Sequence, residues 1–78
     1  MDDEAGIIGV VAETVRRARK SVGWSQEDLA LEAGVDRTYI SQVERGKRNV
    51  TIVVLAKIAR ALKTTPDRLL IPSRKSKG

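Results

Sequence analysis

The sequence predicts an all-α domain of five short helices. Three observations carry that expectation. Apolar residues recur every three to four positions rather than every second one. The stretches holding them open on capping residues and close on glycine or proline. And 78 residues with 41% apolar content can fill one core but not two.

The first helix is expected over about residues 7–22, because Ile8, Val11, Val15, Ala18 and Val22 form one stripe. Residues 1–6, with Asp2, Asp3 and Glu4, read as a flexible acidic N-terminus, and Gly23 marks the helix end. Ser25 caps a second helix over 26–33. Asp28 completes its capping box, and Trp24 and Leu29 take the two staple positions, so Trp24 reads as a core residue rather than a base-stacking one. Asp36 caps a third helix, 37–44, stapled by Val35 and Ile40. Thr51 caps a fourth, 52–62, stapled by Val50 and Leu55. Thr65-Pro66-Asp67 opens a short fifth through Leu70, and Pro72 ends it. The folded domain is thus 7–71, and residues 72–78 read as a disordered basic tail.

Charge is unevenly placed. The chain carries +5 overall, yet Met1 to Thr14 holds acids and no base. From Arg37 to Lys63 the basic residues Arg37, Arg45, Lys47, Arg48, Lys57, Arg60 and Lys63 face Glu44 alone. A basic middle on a small domain suits a polyanion. The absence of Cys and His excludes a zinc site and a Ser-His or Cys-His hydrolase. Glu27, Asp28 and Asp36 are already explained as helix-start residues, and no nucleophile–base pair or phosphate loop stands out. The expectation is therefore no enzyme, no catalytic or metal-binding residue and no cofactor. No apolar run spans a membrane and no leader is visible, which points to a cytoplasmic, nucleoid-associated binding module.

The strongest motif is the helix pair around Gly34. Two short helices joined by about three residues cross steeply only if the contact is small and the turn reaches positive φ. Ala30 supplies the contact and Gly34 the turn, while Val35, Ile40 and Val43 plug the crossing. This is a helix-turn-helix, at about 26–45, whose second helix can enter a DNA major groove. At about 100° per residue, Ile40, Val43 and Glu44 share the inner side of that helix. Arg37, Thr38, Ser41, Gln42 and Arg45 share the opposite arc, with Tyr39 at its edge and no acid among them. Arg pairs with guanine O6 and N7, Gln with adenine N6 and N7, and a Thr methyl meets a thymine methyl. Arg45, Lys47, Arg48 and Asn49 form a loop suited to phosphates, which fix orientation without reading sequence.

The stretch Ser25-Gln26-Glu27-Asp28-Leu29-Ala30, then Gly34-Val35-Asp36-Arg37-Thr38-Tyr39-Ile40-Ser41, then Val43-Glu44-Arg45-Gly46-Lys47-Arg48-Asn49, resembles the phage Cro- and repressor-type (XRE-like) helix-turn-helix family. The likeness runs from about Val11 to Leu70 and implies a five-helix lambda-repressor-like DNA-binding domain. The Asp-Arg-Thr-Tyr-Ile-Ser string, followed by Glu-Arg-Gly, also resembles controller proteins of restriction–modification systems. By this resemblance Arg37, Thr38 and Gln42 are the main base readers, with Tyr39 and Ser41 as helpers. Tyr39 has a second reading, as a cover for the core edge. Ser25 and Gln26 join the phosphate contacts, at a helix start that favours anions anyway. Where some members pair that glutamine with another, this chain has Arg37, so its base preference should differ. The resemblance also implies a partly buried Arg19–Glu44 pair, since an unpaired inner carboxylate would be costly.

Ile52, Val53, Val54 and Leu55 continue the most apolar run. One face can hide Ile52, Leu55, Ile58, Ala59 and Leu62, but not Val53 and Val54 as well. Either the helix is buried on two sides or a partner covers the surplus; an isologous homodimer through Val53, Val54 and Lys57 is the favoured reading. The expected function is a sequence-specific transcriptional regulator, dimeric on double-stranded DNA with a palindromic operator. It would repress by occluding RNA polymerase or activate by touching it. The alternative is an antitoxin-like or purely helical protein-interaction module.

Overall fold

The computed structural model describes the backbone of residues 3–72 and side chains from residue 6 onward. Of the expected tail at 72–78, residues 73–78 lie outside the described residues, as do Met1 and Asp2. The chain order is α1 (Asp3–Ser21), α2 (Gln26–Ala33), α3 (Arg37–Glu44), α4 (Ile52–Ala61) and α5 (Pro66–Leu69). The all-helical expectation is met, and α2 and α3 have the bounds read from the sequence. Helix α2 packs on α3 and α4, α1 on α3 and α5, and α4 on α5.

Local chemistry sets the starts. The Ser25 hydroxyl accepts the Asp28 N–H at 3.0 Å while the Asp28 carboxylate accepts the Ser25 N–H at 2.9 Å. The Asp36 carboxylate accepts from Thr38 N–H at 2.8 Å and the Thr51 hydroxyl from Val54 N–H at 3.2 Å. Such caps are each worth about 1 kcal/mol. Thr65 departs from this pattern: its side chain caps nothing, and Pro66 at the first helical position starts α5 instead. The Thr65 hydroxyl bonds the Asp67 carboxyl and holds it below its ordinary value.

The ends share a hydrogen-bond pattern too. At the close of α2, Val35 N–H reaches back to Ala30 C=O at 3.0 Å and Gly34 N–H to Leu31 C=O at 3.3 Å. This Schellman turn needs a left-handed residue, and Gly34 supplies it at φ 69°. The same two bonds end α4, from Thr64 N–H to Ala59 C=O and from Lys63 N–H to Arg60 C=O. There the left-handed residue is Lys63, at φ 61°, which carries the Cβ penalty that glycine avoids.

The core is contributed by every helix. Val15, Leu29, Ile40, Val43 and Ile58 are fully buried, with Val11, Ala30, Ala33, Leu55, Ala59, Leu62 and Leu69 beside them. Trp24, Val35 and Val50 pack against this cluster from the staple positions. Burying one such aliphatic side chain is worth about 1.5–3 kcal/mol. The Thr14 hydroxyl is buried and donates to Leu69 C=O at 2.7 Å, tying α5 to α1.

Three expectations need correction. Helix α1 starts at Asp3, not near Ile7, so residues 3–6 are helical rather than a flexible lead-in. Gly6 and Gly9 cost about 1 kcal/mol each against alanine but do not stop a helix unless φ turns positive, which it does at neither. Val22, placed on the inner stripe, lies beyond α1 and is 49% exposed. Ile52, expected on the inner face of α4, is 81% exposed, whereas Val54 is half-buried against the core. As the first residue of α4, Ile52 projects past the packed turns, while the neighbours of α4 wrap round its Val54 and Ala61 flank.

Candidate nucleic-acid interface

Helix α3 has one acid, Glu44, and the fold hides it. Glu44 is 3% exposed. The Arg19 guanidinium donates to both carboxylate oxygens, Nε to Oε2 at 2.6 Å and Nη2 to Oε1 at 2.9 Å. This bidentate bond holds the Arg19 pKa above its ordinary value. Arg19 Nη1 also donates to Trp24 C=O at 2.8 Å. The Gln26 amide adds a bond to Glu44 Oε1 at 3.1 Å, and Arg16 donates to Glu44 C=O at 3.0 Å. Side chains of α1 and α2 thus converge on the last residue of α3. The Arg19–Glu44 pair was expected; the parts of Arg16 and Gln26 were not.

With its acid turned in, α3 turns a different face out. Arg37 and Thr38 are exposed, Ser41 and Gln42 half-buried, and Ile40 and Val43 sealed in the core. Arg45, Gly46, Lys47, Arg48 and Asn49 follow, all exposed. None of the side chains on this outward arc is acidic.

The rear of the arc is not free. Gly46 adopts φ 69°, and Lys47 N–H and Gly46 N–H bond back to Gln42 C=O at 2.9 Å and Val43 C=O at 3.1 Å. This further Schellman turn reverses the chain, so Arg48 returns alongside α3. Its guanidinium donates to Gln42 Oε1 from Nε at 3.1 Å and Nη2 at 2.8 Å. It also lies 4.4 Å from the centre of the Tyr39 ring, a cation–π distance. Tyr39 itself packs against the core, and its hydroxyl accepts the Thr51 N–H at 3.3 Å. Of its two readings, the structure shows the core-edge one. Arg48 is exposed, but it is not a bare solvated charge: its side chain is clasped by α3.

Ser25 and Gln26 are likewise engaged inside the fold, one in the capping box and the other on Glu44. Each keeps a spare donor, the Ser25 hydroxyl proton and the second Gln26 amide N–H, for a phosphate. The unclasped cationic set near α3 is therefore Arg37, Arg45 and Lys47, with Asn49 beside it. On α4, Val53 is 64% exposed and Lys57 exposed, but Val54, grouped with them as an interface residue, is half-buried against the core. Ile52 takes its place on the outer surface. Leu31, on the outer side of α2, is 77% exposed and was not singled out from the sequence. Among the described residues no helix is long and apolar enough to cross a membrane.

Comparison with known proteins agrees with this geometry. The helix-turn-helix family profile matches residues 15–69. The crystal structure of a hypothetical transcription factor from Neisseria matches with a TM-score of 0.84 at 41% identity, covering 94% of this chain and 84% of that one. Control protein C.SmaI of Serratia marcescens is 48% identical over 61 residues, 78% of this chain and 73% of that protein. The restriction-modification controller protein C.Esp1396I, solved as a tetramer in complex with its natural 35 base-pair operator, matches with a TM-score of 0.75 at 36% identity, over 81% of this chain and 83% of that one. These relatives are regulators and control proteins, not enzymes.

Proposed function

Because the chain belongs to the XRE-type helix-turn-helix family, alongside restriction–modification control proteins, we propose that it is a sequence-specific DNA-binding transcriptional regulator that lays α3 in the major groove. One observation carries this reading. The outward side of α3 offers Arg37, Thr38 and Arg45 without a carboxylate, since the helix's only acid is buried on Arg19. Arg37 suits guanine O6 and N7, and Thr38 a thymine methyl. Arg45 and Lys47 grip phosphates and set the register, and Ser25 and Gln26 add lesser contacts through their spare donors. No metal or nucleotide enters this scheme.

A gel shift on mixed genomic fragments at two salt concentrations tests it. With about 6–10 phosphate contacts across a dimer, affinity should fall about 10³–10⁵-fold from about 50 to 200 mM salt. Binding indifferent to salt, or none, would sink the reading.

The working unit proposed is an isologous homodimer on a roughly palindromic operator, with half-sites about one DNA turn apart. Support comes from exposed apolar side chains: Ile52 and Val53 on α4, with Leu70 and Ile71 beyond α5. Ile7, Ile52 and Leu70 border one cleft. Val53→Glu should shift sedimentation to monomer while the protein stays folded; an unchanged dimer refutes this interface. Val54 is the poorer probe, since a glutamate there would also disturb packing against the core.

A further inference from the structure

Arg48 occupies the one acceptor that Gln42 has on its side chain. A carbonyl oxygen offers two lone pairs, and Arg48 supplies two N–H groups to it, at 3.1 and 2.8 Å. What the Gln42 amide still presents is its NH₂, a donor only. The remaining guanidinium N–H groups of Arg48 are donors as well. A lone glutamine reads adenine by accepting from N6 and donating to N7. The clasped pair cannot accept from N6. Guanine presents two acceptors at that edge, O6 and N7, and matches a donor-only pair.

From this geometry we infer that Arg48 is a specificity-determining residue, converting Gln42 from a reader of adenine into a reader of guanine. The inference rests on the proposed docking of α3 in the major groove. The clasp is prepared before DNA arrives. Gly46 and the turn it closes place Arg48 beside α3, and the Tyr39 ring supports the guanidinium plane at 4.4 Å. Water around the clasp leaves when the groove closes over it, which strengthens the two N–H···O bonds. Adenine at this position would force Arg48 off Gln42 and leave Tyr39 without its cation.

Selection of bound duplexes from a random pool tests this, run with the wild type, Gln42→Ala and Arg48→Ala. Both changes lie outside the buried core, and matching melting curves confirm folding. The pair read by Gln42 is the one whose preference Gln42→Ala abolishes. Guanine is expected there in the wild type. Arg48→Ala should swing the adenine-to-guanine ratio at that pair by about tenfold or more, toward adenine. The inference is overturned if Arg48→Ala leaves the base unchanged and weakens all sequences alike, because Arg48 is then a phosphate contact. Adenine at that pair in the wild type, or no position altered by Gln42→Ala, overturns it equally. A wild type that selects nothing over the random pool fails the docking reading itself, which separates the two results.

Discussion

Two arginines clasp α3 from opposite sides, and the contrast between them separates a contact that holds the fold from one that stays open to solvent. Arg19 reaches the inner side of α3 and meets a carboxylate at 2.6 Å, with both side chains almost shut off from solvent. Arg48 reaches the outer side and meets a neutral amide at 2.8 Å in the open. The chemistry of the fork is shared; its setting is not. Inside, two charges have given up water and depend on each other, so the pair fixes where α3 sits. Outside, water can substitute for either partner, so in the free protein the clasp adds little to folding stability.

Substitutions can break that contrast, the inner ones most severely. Glu44→Ala strands the Arg19 guanidinium and removes the acceptor for Gln26; urea unfolding should show a loss of about 3–5 kcal/mol. A loss near zero would mean the inner clasp is wet. Arg37→Ala sits on the outer side beyond both clasps, and should leave stability within about 0.5 kcal/mol. It should instead cost about 1–3 kcal/mol of binding and relax one base pair per half-site, as read by titration against variant operators. Equal weakening on every sequence would make Arg37 a phosphate contact. Gly46→Ala forces a Cβ into the left-handed turn and should lower stability by about 1 kcal/mol in thermal melts. It should also loosen Arg48, moving base preference as Arg48→Ala does. Arg48→Ala comes last for folding, at under about 1 kcal/mol by denaturation, because both of its contacts are exposed. A larger loss would place the outer clasp among the holding contacts and erase the distinction.

The parts of the molecule legible in the sequence are those whose causes are local. Ser25 with Asp28, Asp36 with Thr38, and Gly34 lie within a turn of the ends they define, and α2 and α3 run as read. The exposure of Arg37 and Thr38 follows from helical period once Ile40 and Val43 are taken as inner. What was missed depends on neighbours distant in the chain. Gln26 meets Glu44 across 18 residues and Thr14 meets Leu69 across 55. Ile52 and Val54 exchanged places because period gives the faces of a helix but not which flank the core wraps round. The Arg48 clasp had a readable signal: a glycine just past the end of α3 marks a chain reversal, which returns the next cation along the helix.

The knot of side chains at Glu44 also bears on the nucleic acid. Because α1, α2 and α3 are fastened to one another there, each domain offers the duplex a stiff template rather than a hinged one. Two such templates joined in a dimer would leave strain to be taken up by the double helix, at about 1–6 kcal/mol for a smooth bend of 40–90° over 20–30 base pairs. Pyrimidine–purine steps yield most readily, so their presence between the half-sites would be favoured by a protein that never touches them.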